Sequence, residues 1–180
     1  MNATQTAKKN LSQIIKSSED LKIFNGTFTI ISPRGGHKTF RIESILDSKS
    51  SFFSGKRVIA IMDGRNNETD YKKFGFVDNQ GIRVWNRYDL ANMSLFDQRK
   101  FEVEDQLSGD FEFLQDLRKN AVLYAKMVWQ LSTNPDNQFV KLGYKLELSG
   151  ECVFCGKTLT NPKSMRTGIG PECAKKYLAG

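Results

Sequence analysis

From Gly26 onward the chain alternates apolar and polar positions with a period of two, and near Phe111 that period lengthens to about 3.6. The first part predicts strands. TFTII (27–31), HKTFRIESI (37–45), KRVIAIM (56–62), KFGFV (73–77) and GIRVW (81–85) are rich in β-branched and aromatic residues. Turn chemistry separates them at Pro33–Gly36, at Ser54-Gly55, at Asp63–Asn67 and at Asp78–Gly81. Five short strands on short turns predict an antiparallel meander that curls into a small barrel or half-barrel. Ahead of it, residues 1–20 are mainly polar, and Leu11, Ile14 and Ile15 are the one apolar cluster at helical spacing, which predicts a short helix over 4–17.

The longer period predicts helices. In 111–131, Phe113, Leu117, Ala121, Tyr124 and Val128 fall on one stripe, joined by Leu114 and Trp129. Asp110 stands at the N-cap position and Asn134-Pro135 stops the helix. A shorter helix is predicted over 136–143, closing at Gly143. The acidic run Glu102–Asp105 is expected in the connection or at the approach to the long helix. The fold class is therefore α+β: a small antiparallel β meander or half-barrel, then helices, then a C-terminal treble-clef-like zinc module. The expected units are 1–25, 26–107, 108–148 and 149–180.

Composition narrows the function classes. The chain is 39% hydrophobic and 26% charged, which fits a folded chain rather than a disordered one. The N-terminus lacks the apolar core of a secretory signal, and no window approaches the roughly 18 apolar residues of a membrane span. A cytoplasmic protein without membrane contact is expected, so its cysteines should stay reduced. The formal net charge is +7, which suits a partner rich in phosphate. Residues 101–150 reverse the sign with five basic and eight acidic residues, whereas 151–180 hold five basic and two acidic. Phosphate contact along the whole length is thereby disfavoured.

All three cysteines lie in CVFCGKTLTNPKSMRTGIGPECAKKY, residues 152–177. Cys152-Val153-Phe154-Cys155-Gly156 has the form of a metal knuckle, with glycine letting backbone amides turn toward the thiolates. Lys157–Leu159 is expected to leave as a strand and Ser164–Thr167 to return as another, with Asn161-Pro162 as the turn. Gly168–Pro171 then reverses the chain into a helix beginning near Glu172, with Cys173 in its first turn. Zn2+ held by Cys152, Cys155 and Cys173 is the expected cofactor, against the alternatives of plain buried cysteines or an iron–sulfur cluster. A fourth ligand is left open among His37 (the one histidine), Glu172, Ser164, a water or a partner group.

This segment resembles a small, largely uncharacterised domain family of bacteria and their phages with the pattern CxxCGxxLxxPxSxxxGxGPxCxxK. That domain looks like a zinc-knuckle module and occurs as an appendage of larger proteins, including helicase-like ones. Leu142-Gly143-Tyr144-Lys145 and the NPDN turn before it are similar too. Residues 26–87 resemble a β-rich module of the same phage proteins, in Gly26-Thr27-Phe28, His37–Ile42, Gly55-Lys56-Arg57 and Phe74-Gly75-Phe76-Val77. Together the resemblance covers about two-thirds of the chain. It implies a fold and a phage context, hence the host cytoplasm, more than an activity. The family pattern itself carries three cysteines.

Other features admit two readings. Arg34–Lys38 forms either a phosphate-gripping turn or a plain hairpin turn. Phe74, Phe76 and Trp85, with Arg83 and Arg87, form either a stacking platform for single strands or core, and only one face of a strand can serve. Asp63, Glu68 and Asp70 make either a cation loop or a solvated acidic loop. No phosphate-loop lysine motif, HExxH or GxSxG occurs, so no enzyme is expected. The leading expectation is a phage-type zinc accessory protein that binds nucleic acid weakly and without sequence preference. Its contacts would come from Arg34, Lys38, Lys157, Lys163, Arg166, Lys175 and Lys176. The alternative is a protein-binding inhibitor or adaptor acting on a host protein.

Overall fold

The computed structural model describes residues 25–45, 52–152 and 154–178. The helix expected over 4–17 lies outside them. Five strands follow the predicted order: β1 (Gly26–Ile31), β2 (His37–Ser44), β3 (Arg57–Met62), β4 (Tyr71–Val77) and β5 (Ile82–Val84). A sixth, β6 (Lys145–Leu148), pairs antiparallel with β1, from Phe28 opposite Leu148 to Ile31 opposite Lys145. The sheet thus runs β5-β4-β3-β2-β1-β6, an antiparallel meander closed on its first edge by a strand from within the segment that periodicity assigns to helices.

Between β5 and the long helix stand two 3-10 turns and α1 (Leu95–Ser108); then come α2 (Phe111–Thr133) and the short α3 (Gln138–Lys141). The acidic run Glu102–Asp105 lies on the approach to α2, within a helix of its own, α1. Ser94 caps that helix, its Oγ accepting from the Asp97 amide at 3.1 Å and donating to the Asp97 carboxylate at 2.7 Å. Gly109, at φ 78°, ends it in the left-handed conformation. Periodicity hid the helix because Leu95, Phe96, Val103 and Leu107 are exposed while Asp105 is buried.

Strand alternation decides what each sheet face does. Phe28, Ile30, Phe40, Ile42, Ile59, Ile61 and Phe74 point to one face and pack against Leu114, Leu117, Ala121, Tyr124 and Val128 of α2. Phe40 is central to this core, with ring centroids 6.1 Å from Phe28, 6.5 Å from Phe74 and 5.8 Å from Tyr124. On the same face Lys38 reaches Asp116 of α2 at 3.1 Å and lies over the Tyr124 ring.

A bulge breaks the alternation once. Gly75 pairs with Ile59 but Lys73 pairs with Ala60, so Phe74 is the extra residue on β4. In a regular strand Phe74 and Phe76 would share a face. Here Phe74 is fully buried under α2, while Phe76 stands opposite Val58 and Arg83 on the other side. Gly75 permits the bend, since a Cβ there would lie 2.8 Å from the Arg83 carbonyl oxygen.

The α2 stripe also carries an ion network that hydrophobic periodicity does not reveal. Arg118 is buried at a position flanked by Leu117 and Ala121, and it bonds Asp105 of α1. Arg87 meets the other Asp105 oxygen at 3.3 Å, and the Arg118 Nε donates to the Arg87 carbonyl at 3.1 Å. One buried carboxylate therefore holds α1, α2 and the first 3-10 turn together. Removing its charge would strand the buried Arg118 guanidinium, whereas Arg87 keeps Glu104 at 3.7 Å, so Asp105→Asn is expected to cost about 3–5 kcal/mol in urea unfolding. A loss below about 1 kcal/mol would show that the network is solvated in practice.

Candidate metal centre

The cysteine segment is built on a two-stranded hairpin of β7 (Gly150–Glu151) and β8 (Thr158–Leu159), with the knuckle as its loop. The Cys152 amide donates to Lys157 O at 2.8 Å and the Gly156 amide to Cys152 O at 2.8 Å, while Gly156 takes φ 70°. These bonds fold the CxxCG loop back on itself. Beyond β8 the expected return strand over Ser164–Thr167 is not formed. Those residues belong to a helix, α4 (Pro162–Thr167). Asn161 caps it by accepting from the Lys163 and Ser164 amides, Pro162 occupies the first turn and Gly168 closes it at φ 71°. Asn-Pro here starts a helix instead of turning between strands. The expected last helix is present as α5 (Pro171–Leu178), and Cys173 stands in its first turn.

Folding brings the three thiols together, with all three Sγ atoms within 4.8 Å of one another. Three thiolates on a tetrahedral ion at about 2.3 Å would sit about 3.8 Å apart, so the set fits a metal after a small contraction. Cys152 is buried, Cys155 exposed and Cys173 half-buried, which leaves one side open. Among the described residues neither His37 nor Glu172 belongs to this group. His37 is exposed at the head of β2, and Ser164 is buried in the first turn of α4.

Backbone amides set the charge of the site. The Gly170 amide donates to Cys152 Sγ at 3.4 Å. With the amides of Phe154 and Cys155 it brings the Cys152 thiol down to about 6. Cys173 is pushed up to about 11, first by its hydrogen bond with Cys155, then by burial and by its bond with Cys152. Cys152 is thus poised to lose its proton, whereas the proton of Cys173 must be displaced by the ion.

The module docks on the sheet face opposite α2. Thr29 and Thr39, both buried there, join their hydroxyls at 2.9 Å, and Thr29 Oγ1 donates to Thr160 O at 3.1 Å. The acidic loop supplies the other anchors. Asn67 Nδ2 donates to Thr158 O at 2.9 Å, and the Thr158 amide donates to Glu68 Oε1 at 3.1 Å. The Thr158 hydrogen bonds hold the Glu68 carboxyl below its usual range. Arg41 secures the loop by donating to the carbonyls of Glu68 and Asn67 at 2.7 and 2.8 Å. Asp63, Glu68 and Asp70 do not converge as a cation site; Glu68 is a docking group, and Asp70 accepts from the Asn66 amide at 2.8 Å.

Of the basic residues expected to bind nucleic acid, Lys157, Lys163, Arg166, Lys175 and Lys176 are exposed on this module. Lys175 also meets Glu172 at 3.3 Å. Arg34 is exposed in the β1–β2 turn, whereas Lys38 faces α2 and is not on the module's side of the sheet. Sequence reasoning missed the anchors Thr29, Thr160, Asn67 and Glu68. Thr29 in an apolar strand and Glu68 in a turn carry no signal that names a partner more than a hundred, or about ninety, residues away.

Residues 147–178 match the family described as "Family of unknown function (DUF6011)". No curated protein and no solved structure matches this chain. Among the described residues no helix is long and apolar enough to cross a membrane.

Roughly one ion per chain is expected at the three cysteines, since such modules draw much of their folding free energy from the metal. At pH 7 the ion must displace at least the Cys173 proton, so binding should release protons and weaken as pH falls. Calorimetry in buffers of different ionisation heat reads this directly; binding with no proton release would contradict it. Cys155→Ser should loosen residues 150–178 and leave the six-stranded sheet folded. Metal-free purified protein whose melting is unchanged by chelator would refute the site.

Proposed function

We propose that this chain is a zinc-containing accessory protein, of the phage type that the cysteine segment resembles, which binds nucleic acid weakly and without base preference. Zinc is the ion that suits three clustered thiolates on a knuckle, because soft thiolate sets favour it over magnesium or calcium. One observation carries the nucleic-acid reading. The module presents Lys157, Lys163, Arg166, Lys175 and Lys176 to solvent, against Glu151 and Glu172 as its acids. Such cations contact phosphates, which position a strand without reading its sequence. The metal would hold the cations on one small, rigid unit.

A second reading, a protein-binding inhibitor or adaptor acting on a host protein, has its own support. Phe96, Val103 and Leu107 are exposed along α1 at spacings of seven and four, a stripe at helical period. Exposed apolar stripes of this kind fit protein grooves.

Salt separates the two. Replacing Lys163, Arg166, Lys175 and Lys176 together by Ala should lower the affinity for DNA or RNA. It should also flatten the dependence of log affinity on log salt by about 0.7–0.9 for each phosphate that is no longer neutralised. If the variant binds like the parent, or if the parent binds neither nucleic acid at physiological salt, the nucleic-acid reading fails and the protein partner replaces it.

A further inference from the structure

The bulge at Gly75 gives the module's side of the sheet an aromatic cluster. Phe76 and Trp85 lie there with ring centroids 5.4 Å apart. Phe52 and Phe53, which precede β3, fold onto them. Phe52 is 5.4 Å from Phe76, and Phe53 is 6.0 Å from Phe76 and 5.6 Å from Trp85. The cluster is not sealed: Phe52 is 57% exposed. Lys56 sets its ammonium 4.1 Å from the Phe52 ring centre and 4.9 Å from that of Phe76. Trp85 Nε1 is buried and has no hydrogen-bond partner among the described residues.

Cross-strand register ties this cluster to the rest of the face. Arg83, Phe76, Val58 and Glu43 form one row, and Lys73, Ala60, Arg41 and Thr27 form another that runs toward the docked module. Glu43 is neutralised by Lys73 at 2.9 Å and Asp78 by Arg83 at 3.2 Å. Lys56 adds positive charge beside the rings, whereas Arg41 lies beside the Glu68 carboxylate. An open aromatic ring that already carries a cation suits a partner with flat rings and an anionic backbone.

We infer that the Phe52–Phe76–Trp85 cluster is a stacking platform for the bases of single-stranded nucleic acid, with Lys56 meeting an adjacent phosphate. Every base has a π-face, so stacking gives affinity without sequence preference. A duplex keeps its bases stacked inside and cannot offer them to Phe52, so the platform prefers single strands. This inference rests on the proposed nucleic-acid reading, but it uses residues outside the cysteine module.

The test uses the full chain loaded with zinc and a labelled oligothymidylate of about 16 nucleotides, with a duplex of equal length as the control. Anisotropy should show tighter binding of the single strand. Phe52→Ala should weaken that binding at least about fivefold, leaving duplex binding and the salt slope unchanged. Lys56→Ala should reduce the single-strand salt slope by about 0.7. In a Trp129→Phe background, Trp85 is the sole tryptophan and its emission should be quenched by the oligothymidylate. Equal binding of both forms, with Phe52→Ala silent and Trp85 unquenched, overturns the platform while the phosphate-binding module stands. No binding of either form at physiological salt overturns both and leaves a protein partner.

Discussion

Everything in this molecule depends on the rule that successive residues of a strand point to opposite faces. One face of the six-stranded sheet is apolar and buries α2, which accounts for most of the core. The other face is mixed: threonines at Thr27, Thr29 and Thr39, then charged and aromatic residues toward β4 and β5. A face of that composition cannot form a second core. It is suited to hydrogen-bonded docking and to contact with something outside the chain. The bulge on β4 extends this division of labour, because it sends Phe74 to the core and Phe76 to the open side.

The cysteine module uses the second face. Thr29 offers a hydroxyl and the 63–70 loop offers an amide and a carboxylate, and these meet backbone groups of Thr158 and Thr160. Backbone-directed docking fixes the position of the hairpin while demanding little of its side chains. The lysines and Arg166 therefore stay exposed on the surface, and the thiols converge through the knuckle and α5. In this arrangement the proposed ion stabilises a unit too small to build an apolar core, and the sheet supplies its seat.

Much of this was legible in sequence, for reasons that can be stated residue by residue. Alternation over Thr27–Ile31 and His37–Ile45 showed strands because one face is buried. The Phe113–Val128 stripe showed α2 for the same reason. CxxCG and the later Cys173 showed the thiol cluster because knuckle geometry is local. What stayed hidden depends on distant contacts or on weak patterning. Helix α1 exposes Phe96 and Leu107 and buries Asp105, so its apolar pattern points nowhere; only the Ser94–Asp97 cap marks it. Strand β6 is four residues long and exists because β1 has a free edge. Asn161-Pro162 reads equally as a turn or as a helix start, and the hydrogen bonds to Lys163 and Ser164 decide for the helix. The separation of Phe74 from Phe76 required the bulge, for which Gly75 was the sole local sign.

The central proposal is that three thiolates from one chain hold zinc and that its remaining position is not sulfur. X-ray absorption at the zinc edge of the purified, reduced protein tests it most directly. The expected spectrum has a first shell of about three sulfurs near 2.3 Å and one nitrogen or oxygen near 2.0–2.1 Å. With three cysteines in the chain, a four-sulfur shell would require a second copy to complete the site. That result, or a shell without sulfur, would contradict the claim.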